Sequence, residues 1–499
     1  MKRTLALVLA LLLICLVGCS TNPNGSGEIA KDTINLVNTA PIPDYDPLNW
    51  YITSQSTLFT NVYSTLADVV VNDDLTISCR PNLAKSWEQE DDLTWVFHLN
   101  ENAVYTNGDK VTAEHVKTCF ERHKTNPYTM SYVSMVDSIE VRDENTVVFH
   151  LAYPWPGIPN CWYMVAIYNV DLYDADKDAY IKNPVGSGPY TLTALDETAG
   201  TMTLTLKDNW WGENKPVVKT VNVRTITDPS TLVIALQKGE VDVGQLSGTN
   251  YSLVKDDPNL ENKQTVSQVP VQLLLNKNTE PLNNDKLREA ISYAIDYEAI
   301  RKVTCSGYVS NKDSTLVFAT LEREIPSGVQ GYEYNPEKAR ELVKESGLPV
   351  PVDVGEIIGG NNGSAEMIQQ YLADVGISAK VTSYETNTFV QMLMGGQFGL
   401  GITSGSGGQS AFENLRNYYG SNQPYNFNKF SNPQVDEIIG KLQVEKDDAE
   451  IERLLTEALN IVASEHTNMN LGIPGQFVVF RKGWSIPPVW NGVDMIAVR

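Results

Sequence analysis

Leu287-Arg288-Glu289-Ala290-Ile291-Ser292-Tyr293-Ala294-Ile295-Asp296 is the stretch on which the fold turns. Leu287, Ile291, Ala294 and Ile295 recur at helical spacing, and Asp285 sits early in the run, where negative charge favours a helix start. An apolar stripe of this kind needs a partner to cover. Upstream, Val269 to Leu275 is a nearly continuous apolar run of strand length, the composition of a strand buried on both faces. Downstream, a helix begins after Pro336 and runs through Ala339, Leu342 and Val343 to Gly347, which supplies the stop. Met367 to Leu372 and then Ile377 to Val381 read as a helix followed by a strand. From Gln434 to about Ala463 the apolar positions are Val435, Ile438, Ile439 and Leu442, then Ile451, Leu454, Leu455 and Leu459. Helices interleaved with strands indicate an α/β protein with mixed sheets covered by helices.

The first half has a different texture. Thr94-Trp95-Val96-Phe97-His98-Leu99 and Thr146-Val147-Val148-Phe149-His150-Leu151 mirror each other, each rich in the β-branched and aromatic residues of a half-buried strand. Between them Thr112 opens a helix, with Glu114 in its first turn, and Asn107-Gly108-Asp109 marks a turn. Residues of about 75–180 therefore form a compact α+β unit. Near 184 a Gly/Pro loop, Asn183-Pro184-Val185-Gly186-Ser187-Gly188-Pro189-Tyr190, changes the pattern. The strand-like Met202 to Leu206 follows, then a short helix ending at Ile234 to Lys238 and closing on Gly239.

At the N-terminus, Lys2 and Arg3 precede an apolar run from Leu5 to Val17 that stops at Gly18-Cys19. That is an export signal, shorter than the roughly 20 apolar residues a bilayer span of about 30 Å needs. Its Leu16-Val17-Gly18-Cys19 ending resembles the bacterial lipobox, which implies cleavage before Cys19 and a lipid on its thiol. A cleaved secretory signal with an incidental cysteine is the alternative. Ser20 to Gly27 is small and polar, the composition of a flexible tether. Beyond Ile34 there is no further apolar stretch long enough to span. The 499 residues suit two or three domains at about 150 residues each, with a 42% hydrophobic content ample for their cores. A net charge of −23 excludes nucleic acid, whose binding draws on Lys and Arg at phosphates, and disfavours lying on anionic lipid.

Chemistry was sought and not found. The five histidines fall in no metal-ligand spacing, and Cys79, Cys119, Cys161 and Cys305 are widely spaced with no C-x-x-C. They are free buried thiols or one of three possible pairings. The Gly/Ser run Gly399 to Ser410 lacks G-x-S-x-G and both phosphate-cradle motifs. It reads as a loop, either one that closely approaches a ligand or a plain surface loop. Neither a cofactor nor a metal is implied. Among 23 tyrosines and nine tryptophans, Tyr45, Trp50 and Tyr51 stand apart. They lie in a Pro-broken stretch followed by Thr53-Ser54-Gln55-Ser56-Thr57, a mixture that suits a cleft wall or a surface loop.

Taken in order, Pro81 to Glu88, Thr94 to Leu99, Asn107 to Glu114, Val185 to Tyr190, Asn209-Trp210-Trp211-Gly212, Gly239-Glu240-Val241-Asp242, Leu287 to Asp296, Tyr334 to Ala339 and Ser431 to Asp436 resemble one family across nearly the whole mature chain. It is the family 5 extracellular solute-binding proteins, the oligopeptide, dipeptide and nickel-binding class. The resemblance implies a two-lobed periplasmic-binding-protein-like fold of the type II class, with an extra α+β subdomain inserted in the first lobe. The organisation it implies is a signal at 1–18 and a tether at 19–31, then lobe I at 32–74, 184–269 and 475–499. The inserted subdomain would be 75–183 and lobe II 270–474, with Val269 to Leu275 as a hinge crossing. It further implies a monomeric, non-enzymatic receptor. That receptor captures a peptide or other small polar solute between its lobes and hands it to the transmembrane subunits of an ABC permease. Attachment would be to the extracytoplasmic face of the cell membrane, through the lipid alone. A surface sensor or adhesin, and a secreted hydrolase, are the competing classes. The ligand is placed between Ser54-Gln55 on one side and Ser404 to Gln409, including Ser406, on the other. Peptide-binding members carry a Trp-containing segment whose Asp pairs with the peptide amine, whereas Phe398 to Gln409 has neither residue. An ammonium desolvated there without a partner costs several kcal/mol, so a neutral or blocked ligand is expected.

Overall fold

A computed structural model describes residues 32–499 apart from 73–76, 156, 159–161, 266, 268, 309–314, 319–324, 360–362, 406–409, 424 and 489–491. The export signal, the tether, Cys19, Cys161, Ser406 and Gln409 thus lie outside the described residues. No helix among the described residues is long and apolar enough to cross a membrane.

Two mixed sheets carry the molecule. The strands are β1 (Thr33–Asn38), β2 (Ala67–Val71), β3 (Ile77–Pro81), β4 (Ala84–Asp91), β5 (Thr94–Leu99), β6 (Val136–Asp143), β7 (Thr146–Leu151), β8 (Tyr190–Asp196) and β9 (Thr201–Leu206). They continue with β10 (Thr220–Thr225), β11 (Val243–Ser247), β12 (Leu260–Thr265), β13 (Val271–Leu275), β14 (Val352–Gly359), β15 (Ile377–Thr382), β16 (Leu400–Ser404), β17 (Asn468–Gly472) and β18 (Gln476–Arg481). Seven of them form one sheet in the order β12-β18-β11-β1-β10-β9-β8, in which β1 is parallel to both β10 and β11. Its core gathers Leu232, Leu236, Val241, Leu246, Phe477 and Val479. The helix Pro229–Lys238 supplies the two leucines and ends where Gly239, at φ 69°, takes the left-handed cap.

Five strands form the other sheet, β15-β14-β16-β13-β17, with β13 antiparallel to both its neighbours. The quoted stretch becomes the helix Asp285–Ala294, capped by Asn284, whose side chain accepts from the Leu287 N–H at 3.1 Å. Leu287, Ala290, Ile291 and Ala294 bury against Leu273, Leu275, Ile357 and Ile402. Arg288 is buried too, which its polarity alone does not suggest. It donates to the carbonyls of Leu282 and Glu465 at 2.9 Å and pairs with Asp285 at 2.7 Å, tying this helix to the end of the helix Asp448–Glu465. The apolar run from Gln434 breaks into two helices, Pro433–Leu442 and Asp448–Glu465.

The mirrored stretches pair with each other as β5 and β7, the two inner strands of a four-stranded antiparallel sheet, β4-β5-β7-β6. Thr112 caps the helix Ala113–His123, whose Val116, Cys119, Phe120 and His123 form one buried face. Phe97, Phe120, Phe149 and Trp162 close its core, Phe149 lying 4.6 Å from Trp162 and 4.7 Å from Phe120. This is the inserted α+β unit. The mixed α/β architecture and the insertion agree with the fold expected from the sequence.

One part of the Gly/Ser run departs from its reading as a loop. Leu400 to Ser404 is β16, inside the five-stranded sheet, hydrogen-bonded to β13 and β14. Alternation explains it: Leu400 and Ile402 enter the core, while Gly401 leaves room for Phe398 and Leu393 on the other face. Only beyond Ser404 does the chain leave the sheet.

The chain passes from one large sheet to the other between β12 and β13, and returns between β17 and β18. Val269 is exposed, and the buried strand begins at Val271. At the return, Gly472 has φ 129°, and a Cβ there would stand 2.5 Å from Cys305 Sγ, so the position needs glycine. Beside it the Gly475 N–H donates to the Tyr308 carbonyl at 2.7 Å. The Tyr308 ring meets Tyr251 and Phe477 edge-on, each at 5.3 Å.

Candidate functional site

Beyond β1 the chain enters the 39–55 loop, which its own polar side chains organise. Asp46 is fully buried, accepting from the Leu48 N–H and the Tyr173 hydroxyl and pairing with Lys177 at 2.7 Å. Gln55 is buried as well. Its amide nitrogen donates to the carbonyls of Asp44 and Asn49, and its oxygen accepts from the Tyr51 and Ile52 N–H groups. Ser54 donates to the Pro41 carbonyl at 3.0 Å. Trp50 is 1% exposed, donates from Nε1 to Ser56 Oγ and meets Phe59 edge-on. Three of the five expected contacts in this loop therefore build it: Trp50, Ser54 and Gln55 face inward because each polar atom has a backbone or hydroxyl partner there.

Tyr45 and Tyr51 are left partly exposed. Burial pushes the Tyr45 hydroxyl up, and the nearby Glu197 carboxylate adds to it. Tyr51 stacks on Tyr128, centroids 4.8 Å apart and 14° between planes, and Tyr128 stays 56% exposed. Four residues on lies Tyr132, whose hydroxyl is pushed up by burial and then by the phenols of Tyr163 and Tyr425. Tyr425 belongs to the segment between β16 and β17.

On the other wall, Ser404 ends β16 opposite Val271 and is exposed. The next carbonyl, Gly405, accepts from the Tyr418 hydroxyl, and Tyr425 flanks the same turn, 6.4 Å from Tyr418. Tyr45, Tyr51 and Ser404 are thus the described site residues that reach open space. Tyr128, Tyr132, Tyr163 and Tyr425 join them, and Tyr418 supports the turn from a buried position, though sequence reading passed all five over. Pro127-Tyr128 and Pro424-Tyr425 each set a ring beside a chain-breaking residue, a signal too common to single out.

Two cavities lie elsewhere on the body. One sits between hairpin β2–β3 and the C-terminal segment and is lined by Trp50, Tyr63, Arg80, Tyr163, Pro488 and Asp494. Arg80 bridges Asp68 at 2.8 Å and Asp494 at 2.5 Å there, and burial followed by Asp494 raises the Asp68 carboxyl. The other is lined by Ser292, Tyr293, Gln330, Tyr332, Asn460 and His466. Ser292 Oγ is 2.8 Å from His466 Nδ1, but the hydroxyl donates to the Glu289 carbonyl. The pair joins the helix Asp285–Ala294 to the C-terminal cap of the helix Asp448–Glu465. Among the described residues no group of three His, Cys, Asp or Glu could hold a metal. Cys119 and Cys305 are free thiols, and burial pushes Cys119 up to about 12, which keeps it unreactive.

A two-sheet body joined by a double crossing is the plan of a solute-binding protein. Residues 78–427 match the family model of the bacterial extracellular solute-binding proteins, family 5 (middle region), and the chain belongs to that family. It is a solute-binding protein of the kind that serves ABC importers. The glutathione-binding protein GsiB of Escherichia coli K12 is 26% identical over 411 residues, covering 77% of this chain and 78% of GsiB. Among solved structures, the ABC transporter substrate-binding protein CtaP of Listeria monocytogenes superposes with a TM-score of 0.79 at 21% identity, covering 93% of this chain and 98% of CtaP. DppA of Helicobacter pylori in complex with the peptide STSA gives 0.76 at 23%, covering 93% and 97%.

Proposed function

We propose that this chain is a lipid-anchored receptor that captures a neutral or amine-blocked, peptide-like solute between its two sheets and delivers it to the transmembrane subunits of an importer. Lobe I would comprise 32–74, 184–269 and 475–499, the inserted subdomain 75–183 and lobe II 270–474, the protein working as a monomer and without catalysis. The observation that carries the ligand reading is the end of β16. Ser404-Gly405 emerges between Tyr418 and Tyr425, in a stretch, Phe398 to Gln409, that holds neither the Trp nor the amine-pairing Asp of peptide-binding family members. Rings and backbone groups recognise amides and apolar side chains without needing a charge. GsiB is named for glutathione and DppA was solved with a peptide, which supports a peptide-like solute.

Calorimetric titration of matched short peptides, with the amine free or acetylated, tests this. The acetylated peptide is expected to bind at least as tightly, with little loss at high salt, because screening acts on charge pairs. Tighter binding of the free amine would place a carboxylate in the cleft and overturn the reading. For the anchor, Cys19→Ser should release the protein from the membrane or leave it unprocessed. Unchanged retention with normal processing would remove Cys19 from the proposal.

A further inference from the structure

Away from the hinge, the inserted unit touches the five-stranded unit a second time. Trp155, in the segment after β7, is 6% exposed and meets Phe412 edge-on, centroids 5.4 Å apart at 86°. Phe412 and Arg416 lie one turn apart on the helix Ala411–Tyr419, and the Arg416 guanidinium stacks over the Trp155 ring at 5.4 Å. Alongside, Gln443 Nε2 donates to the Pro154 carbonyl at 3.0 Å. At the tip of hairpin β4–β5, Asp92 pairs with Lys446 at 2.8 Å. The approach is close: a Cβ at Gly157 would lie 3.0 Å from Trp155 Nε1 and 3.5 Å from Glu413 Oε1.

We propose that this contact is a clasp, in which the inserted unit holds the five-stranded unit shut through Trp155, so that part of the closing free energy comes from the protein itself and not from the solute. The chemistry favours it. A buried tryptophan face carrying an arginine combines apolar burial with a cation–π attraction, while the Lys446–Asp92 pair, being exposed, adds little beyond register. None of the four contacts needs a ligand atom, so the clasp forms whatever the solute. Its loss lowers the fraction of molecules in the closed state, and with it the apparent affinity for any solute, by the same factor. This goes beyond the ligand reading above and does not depend on it.

Hydroxyl-radical footprinting of the full-length, detergent-solubilised protein without added ligand tests the clasp. Exposed Tyr128 serves as the internal standard, and Phe97 and Phe149 report an intact fold. In the natural protein Trp155 and Phe412 should react roughly ten-fold more slowly than Tyr128, in keeping with their burial. Trp155→Ala should raise labelling of Phe412 several-fold with Phe97 and Phe149 still protected. If that variant also exposes Phe97 and Phe149, Gly157→Val decides: its added side chain wedges the segment off the helix and should expose both Trp155 and Phe412. Trp155 reacting as fast as Tyr128 in the natural protein, or no rise at Phe412 in the folded variants, overturns the proposal.

Discussion

Gln55 commits its whole amide to the backbone of residues 44–52, so its removal acts on the loop before it acts on any ligand. Gln55→Ala leaves two N–H groups and two carbonyls to find water in a buried setting, and should destabilise the protein by about 2–4 kcal/mol in urea titrations. Two histidines make a second prediction at this scale. His123 and His466 are held at about 4, against an ordinary 6.5, by burial, His123 sharing a hydrogen with Thr129 at 2.8 Å. Between those values the unfolded chain binds protons that the folded one refuses. Stability is therefore complete above 6.5 and falls as the pH drops toward 4, by up to about 3 kcal/mol for each histidine. Urea midpoints measured at neutral and at mildly acidic pH should separate, and His466→Asn, which keeps a side chain tolerant of φ 50°, should narrow the gap.

At the scale of elements, the returning strand β17 is the sensitive one. Gly472→Ala puts a methyl against Cys305 Sγ at a backbone angle other residues avoid, and should cost roughly 2–4 kcal/mol of thermal stability. Adding Cys305→Ala should restore part of it, because the clash and not the angle is then relieved, and a double-mutant cycle in differential scanning calorimetry reads the coupling. Elements with their own local code were legible in the sequence. β5 and β7 announced themselves by β-branched and aromatic content, and Thr112 caps its helix as its residue type suggests. β16 was obscured, because glycines that make room for Phe398 and Leu393 look the same in sequence as glycines that loosen a loop. The inward turn of Trp50, Ser54 and Gln55 was obscured for a related reason. A ring beside hydroxyls suits a cleft wall equally well whether those groups face a solute or each other.

For the whole molecule, charge and distance matter most. With a formal charge of −23, self-repulsion works against compaction, so melting temperature should rise from low to physiological ionic strength even though the partly buried pair of Arg80 and Asp68 is screened less than the exposed ones. A flat response would mean that local pairing has already neutralised the field. The family resemblance made the two-sheet plan readable because its motifs recur in order. The Trp155–Phe412 contact was not readable, since it joins segments far apart in the chain whose residues are each common in ordinary cores.

The position of β18 carries a consequence for how such a chain is made. It lies between β11 and β12, and among the described residues β12 is hydrogen-bonded to it alone, yet it follows both by roughly two hundred residues in the chain. Until residues 476–481 emerge, β11 is left with an open edge and β12 with no partner, so the seven-stranded sheet cannot close. For a member of a family whose proteins are extracellular, the seven-stranded sheet is thus completed late, once β18 has joined β11 and β12.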